Sequence, residues 1–297
     1  MRGSIRLPGA ATAACVLLTA FAAFVIAAPV EAAPAFSFGK GFNPATIGPG
    51  SSSQLAFRIS NYSGSDLANV TFSDDLPAGV VIANVPGATS DCGGTIDAPA
   101  GGGTIAFAGG SIPNTTICHL SVNVTSAVAG VHSNTTSTLT WDGGSWPGAS
   151  ADLTVDDTFP TLSEAFSPPL VLVGQPSTAI LTLHNPAAGA AITGWSFTVF
   201  FPAGVGLVNP QNNCLPTVAP GTSCTITVDV VAQAAGQFDS YTDPFTFSTA
   251  AASNLKSGFA TAVLQAVTVT QIPTLNVCAL IALAGLLLIS AGWFLRR

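Results

Sequence analysis

Two stretches decide the fold: Cys118-His119-Leu120-Ser121-Val122-Asn123-Val124 and Cys224-Thr225-Ile226-Thr227-Val228-Asp229-Val230. Each opens on Cys and then alternates apolar and polar side chains. Period-two alternation is the pattern of a strand with one buried face. The two stretches also align with each other, and a Gly follows twelve residues past each Cys, at Gly130 and Gly236.

Working outward, more anchors recur in the same order. Phe42-Asn43-Pro44 precedes Gly50 as Phe166-Ser167-Pro168 precedes Gly174. Gly50 leads through a strand pattern (Leu55, Phe57, Ile59) to Asn61, and Gly174 leads through Ile180-Leu181-Thr182-Leu183-His184 to Asn185, again eleven residues on. Leu76-Pro77-Ala78-Gly79-Val80 matches Phe201-Pro202-Ala203-Gly204-Val205, with Pro-Ala-Gly as a turn signal in each. Four anchors in one order mean a unit written twice. About seven short strands in some 110 residues is the pattern of an immunoglobulin-like sandwich. The expected fold class is therefore all-β: two tandem immunoglobulin-like β-sandwiches plus a C-terminal transmembrane helix. The expected division is 1–32 signal peptide, 33–157 first sandwich, 158–270 divergent second sandwich, and 271–297 a C-terminal motif, span and basic tail.

Both ends of the chain are apolar. Arg2 and Arg6 precede an apolar run from Ala10 to Ala28, and Val30-Glu31-Ala32 offers small residues for cleavage after Ala32. Val277 to Leu295 carries no charge and is followed by Arg296-Arg297. That length suits one membrane helix, with the arginines on the cytoplasmic side. The chain is then expected to be exported, first as an inner-membrane-anchored precursor.

Composition limits the chemistry. Between the apolar ends only Lys40, Arg58 and Lys256 are basic, against thirteen acidic residues, so three minus thirteen leaves a net charge of −10. Such a surface repels phosphate backbones, and no nucleic-acid partner is expected. Four cysteines remain in this region. In an exported chain an even count points to disulfides, and the repeat favours pairing within each copy: Cys92 with Cys118, Cys214 with Cys224.

No catalytic constellation emerges. His119, His132 and His184 are the only histidines, and no Gly-x-Ser-x-Gly elbow occurs. Asp74 and Asp75 are neighbours on a strand, so alternation points them to opposite faces instead of pairing them for glycoside chemistry. Asp152, Asp156 and Asp157 near the junction are weak candidates for Ca²⁺ ligands, with a solvated acidic linker as the plainer role. Trp141 and Trp146 among Gly and Ser suggest a sugar-stacking platform, or else loop packing. No catalytic residue and no cofactor are expected.

Two resemblances bear on function. Ile272-Pro273-Thr274-Leu275 before a terminal span and basic tail resembles the IPTL-type C-terminal sorting signal of Gram-negative bacteria, similar in layout to the PEP-type signals handled by exosortases. It implies a membrane-embedded processing enzyme as partner and delivery to the cell envelope, surface or extracellular matrix. Asp74-Asp75-Leu76-Pro77-Ala78-Gly79 resembles bacterial surface repeats carrying a D-x-L-P-A-G motif, which implies an Ig-like sandwich on exported, adhesive or structural proteins. The expected function is a non-enzymatic surface spacer or adhesive module in contact with extracellular polysaccharide or matrix. The alternatives are an adhesin with a specific carbohydrate or Ca²⁺ site, and an enzyme of unrecognised type.

Overall fold

The computed structural model describes residues 36–268. Ala32, the Ile272–Leu275 motif, the apolar run behind it and Arg296-Arg297 lie outside them. The described residues form 25 strands and no helix. The fold is all-β, arranged as β-sandwiches.

Residues 36–155 build the first set of sheets. Phe36–Asn43, Ser52–Asn61, Thr116–Ser126 and Val80–Ile82 line up in that order, all antiparallel. Facing them are two further sheets, one of three strands and one of five. One runs Gly130–Thr135, Ser150–Val155, Thr46–Ile47, the last pair parallel. The other centres on Leu67–Asp75 between Leu139–Trp141 and Thr104–Ile112. Alternation explains the packing. Phe36, Phe38 and Phe42 share one face of the first strand, and Phe57 and Phe72 meet them between the layers. A fully buried aromatic side chain contributes about 1.5–3 kcal/mol relative to exposure, so these rings anchor the sandwich.

Residues 161–267 repeat the plan. Thr161–Ser167, Pro176–Asn185, Thr222–Ala232 and Val205–Asn212 form the first layer in the same order. The remaining strands form two four-stranded sheets: a parallel Leu170–Leu172, then Thr261–Val267, Gly236–Thr242 and Val199–Phe200 in one, and Thr217–Val218, Ile192–Ser196, Thr246–Ser248 and Leu255–Lys256 in the other. The repeat anchors take equal roles. Gly50 and Gly174 turn with φ of +79° and +81°, and Gly79 and Gly204 with +87° and +90°, a region that only glycine enters freely. Ser53 Oγ donates to Pro44 O, and Ser177 Oγ to Pro168 O. Asn61 and Asn185 are fully buried, and each Nδ2 donates to two carbonyls, those of Ser65 and Ile112 and those of Ala190 and Val218.

The strands outnumber the seven per unit that periodicity suggested: thirteen lie in 36–155 and twelve in 161–267. The excess comes from pieces of two or three residues, such as Thr46–Ile47 and Thr89–Ser90, where Gly and Pro interrupt the ladder.

Contacts also join the two halves. Ser52 and Phe259 exchange two backbone hydrogen bonds of 3.0 Å. Ser257 Oγ donates to Pro160 O at 2.7 Å and accepts from the Gly48 amide at 3.3 Å. A Cβ on Gly258 would stand 2.6 Å from Ser52 O, and one on Gly48 2.9 Å from Phe159 O. Only glycine lets the backbones approach so closely here.

Candidate functional site

The most unusual chemistry lies inside the first sandwich. Along Phe36–Asn43 the inward positions read Phe36, Phe38, Lys40, Phe42: a lysine stands where the pattern calls for an apolar side chain. Along Leu67–Asp75 they read Val70, Phe72, Asp74. Along Gly130–Thr135 they read His132, Asn134. These three strands belong to three different sheets, and their inward polar residues meet. Lys40 Nζ lies 2.8 Å from Asp74 Oδ2, and both side chains are 0% exposed; the exposed part of Lys40 is its backbone. Asn134 Nδ2 donates to the same Asp74 oxygen at 3.1 Å. The Lys40 Nζ sits 5.5 Å above the Phe57 ring. Burial pushes the lysine below its usual value of 10.5, and the Asp74 hydrogen bond and charge only partly oppose this. Asp74 Oδ1 and Asn134 Oδ1 are buried with no hydrogen-bond partner among the described residues.

The second sandwich holds a different cluster at the same place. Glu164 stands two residues before Phe166, as Lys40 does before Phe42. Ser240 stands four residues past Gly236, as Asn134 does past Gly130. The counterpart of Asp74, two residues before the Leu76/Phe201 position, is Val199. Ser240 Oγ donates to Glu164 Oε1 at 2.8 Å, and Glu164 Oε2 has no partner among the described residues. Burial raises the Glu164 carboxyl to about 7, and the Ser240 hydrogen bond only partly offsets this.

A second feature is a groove of about 570 Å³ between the sandwiches. Phe200 and Tyr241 stack on its wall with centroids 5.0 Å apart, and both are exposed. Asp239, Asp243, Gln54 and Asn123 supply polar groups around them.

The residues singled out from sequence fall as follows. Cys92 bonds Cys118, and Cys214 bonds Cys224, with Cα–Cα distances of 5.1 and 5.0 Å. Asp152, Asp156 and Asp157 are not gathered into a ligand cluster. Asp152 is exposed on a strand opposite Ser133, and Asp156 Oδ1 is taken by the Thr158 amide and hydroxyl at 2.8 and 2.7 Å. The one close group of possible metal ligands among the described residues is Asp91 with Cys92 and Cys118, whose sulfurs are already bonded to each other. Trp141 is partly buried and Trp146 is exposed. They sit on a hairpin, Leu139–Trp141 with Gly144–Trp146, and both rings pack on Phe36 at 5.2 and 4.9 Å. His119 and His184 are exposed on strands; His184 Nδ1 lies 2.8 Å from Ser223 Oγ, and among the described residues no carboxylate joins that pair. Asp74 and Asp75 do face opposite ways, Asp74 buried and Asp75 accepting from Thr104 Oγ1 at the surface.

Sequence reasoning passed over Lys40, Asn134, Glu164 and the Phe200–Tyr241 wall. For Lys40 and Asp74 the signal was present: a charge at an inward position of an alternating strand. The Asp of the D-x-L-P-A-G motif is the buried one.

Three of the solved structures to which the chain is similar illustrate the likeness. The first is red sea bream transglutaminase (12% identity, 78% of this chain and 31% of that one, TM-score 0.28). The second is the type II cohesin dyad from the adaptor ScaA scaffoldin of Acetivibrio cellulolyticus (11%, 76% and 98%, 0.33). The third is a cohesin module from a Clostridium perfringens family 33 glycoside hydrolase (12%, 41% and 97%, 0.33). The chain thus spans about a third of the transglutaminase, and likenesses this loose carry no functional weight. No curated protein matches the chain. A family model matches residues 35–155 and 160–217, more than half of the sequence, and the chain belongs to that family, the Domain of unknown function (DUF7933).

Proposed function

We propose that this protein is a non-enzymatic, exported surface module, a spacer or adhesive unit of two immunoglobulin-like sandwiches carried to the cell envelope by its C-terminal signal. The observation that carries this reading is the pair of disulfides, one at the equivalent strand of each half. Structural disulfides persist in oxidising compartments, which fits the charged-then-apolar N-terminus and the Ile272–Leu275 motif before an apolar run. The close backbone junction at Gly48, Ser52, Gly258 and Phe259 suits a spacer that must hold its length. A membrane-embedded processing enzyme is the partner that the C-terminal motif implies. Proteinase K added to intact cells of the native host tests the placement. Loss of the full-length band without lysis supports it; a chain protected until lysis contradicts it.

A second reading, a carbohydrate-binding adhesin, is favoured by one observation: the stacked, exposed Phe200 and Tyr241 beside carboxylates and amides in the groove. Aromatic faces with flanking hydrogen-bonding groups suit pyranose rings. A glycan array probed with the wild type and with Tyr241→Ala tests it. Binding lost in the variant supports an adhesin; an array blank for the wild type removes it.

A further inference from the structure

Burying an ion pair in a β core is expensive. Apolar residues of similar volume usually serve stability as well or better. The first sandwich adds to that cost by leaving Asp74 Oδ1 and Asn134 Oδ1 without partners. The second sandwich, with Glu164, Ser240 and Val199 at the same place, shows that this topology does not require the pair. What the first sandwich holds is an amine and a primary amide against one carboxylate oxygen, at 2.8 and 3.1 Å, out of water.

From this geometry we infer that Lys40 and Asn134 become joined by an intramolecular isopeptide bond, with Asp74 as the catalytic acid and base and ammonia as the leaving group. The steps balance. Lys40 passes a proton to Asp74, leaving a neutral amine and a carboxylic acid. The Lys40 Nζ lone pair attacks Asn134 Cγ while the Asp74 O–H hydrogen-bonds to Asn134 Oδ1 and stabilises the developing oxyanion. Asp74 then takes a proton from Nζ and delivers one to Nδ2. The Cγ–Nδ2 bond breaks and ammonia departs. An ammonium, a carboxylate and a primary amide have become a secondary amide, a neutral carboxylic acid and ammonia, with no oxidant and no cofactor. Fixed proximity replaces external activation: intramolecular reactions of well-placed groups reach effective molarities of about 10⁵ M and above. Depression of the Lys40 amine by burial favours its nucleophilic form. The product also resolves the orphan atoms, because the Asp74 acid can donate to the new amide carbonyl.

The bond would tie the strand Phe36–Asn43 to Gly130–Thr135 across the two layers. The first sandwich would then resist unravelling from its N-terminal strand by a covalent link that reductants cannot break. The second has neither amine nor amide at this place and cannot form one.

The test is peptide mass spectrometry on the full chain purified from its membrane fraction, reduced, denatured and digested with trypsin. The expected result is no cleavage after Lys40 and a branched peptide joining the Lys40 and Asn134 segments, lighter than their sum by one ammonia. Asn134→Asp should give the same link with loss of one water instead. Asp74→Asn should give unlinked segments. A disulfide-bonded wild-type chain that is cleaved after Lys40, with Lys40 and Asn134 recovered in separate unmodified peptides, would overturn the proposal. Full linkage in Asp74→Asn would overturn the role given to Asp74.

Discussion

Glu164 makes the second sandwich sensitive to pH in a calculable direction. Its carboxyl rises from 4.5 to about 7 in the folded chain because burial disfavours the anion. The unfolded chain keeps the ordinary value, so between 4.5 and about 7 the folded state holds a proton that the unfolded state has released. Stability therefore falls as pH rises through this window. Below it both states are protonated and nothing is lost; above it the folded state carries the full cost of a buried carboxylate. At about 1.4 kcal/mol per pH unit this amounts to about 3 kcal/mol, an upper figure because water penetration relaxes such costs. No charged side chain contributes to the shift, so it reports on burial and the Ser240 hydrogen bond alone. In Glu164→Met the carboxyl is gone, and Ser240 Oγ can donate to Ala262 O, 3.4 Å away. The assay is urea unfolding across a pH series spanning 4.5 to 7, read by hydrogen exchange in Pro176–Asn185 and Thr222–Ala232. The wild type should lose stability with rising pH and the variant should lose less, the difference growing to about 3 kcal/mol. Parallel pH profiles for the two proteins would refute the buried, raised carboxyl.

Three further outcomes are expected. Asn61→Ala and Asn185→Ala each remove the donor to one buried carbonyl, that of Ile112 or Val218, and to one partly exposed carbonyl, that of Ser65 or Ala190, and should cost about 1–3 kcal/mol in denaturant unfolding, each chiefly in its own sandwich. Loss of Cys92–Cys118, which spans 26 residues, should cost about 3.5 kcal/mol, and loss of Cys214–Cys224, spanning 10, about 3 kcal/mol, measured on Cys→Ala pairs. Gly258→Val pushes a side chain into Ser51, Ser52 and Ile47, so small-angle scattering should show a wider spread of inter-sandwich geometries than in the wild type, with both cores still folded.

Much of this fold was legible because one constraint was written twice. Leu55-Phe57-Ile59 and Ile226-Val228-Val230 alternate cleanly, and glycines forced to positive φ sit at matching offsets in both copies. Strand number was not legible, since two-residue ladders at sheet edges have no periodicity to detect. The groove was also hidden. Phe200 and Tyr241 are distant in sequence, and only the ladder pairing Phe200 with Tyr241 brings them side by side. The Lys40–Asp74–Asn134 cluster falls between these cases. Each residue occupies an inward position that alternation marks, but their convergence depends on how three sheets face one another. Asp152 and Asp156, weak candidates from their closeness in sequence, have separate surroundings: Asp152 lies on a strand opposite Ser133, and Asp156 closes a local turn with Thr158.

Export and C-terminal sorting are tested most directly by the C-terminal mass of the mature, surface-exposed protein from its native host, with and without substitution of Pro273-Thr274. The prediction is a wild-type C-terminus at or near the Ile272–Leu275 motif, with Arg297 absent, and an unprocessed chain in the substituted form. Surface-exposed wild-type protein that still ends in Arg296-Arg297 would contradict it.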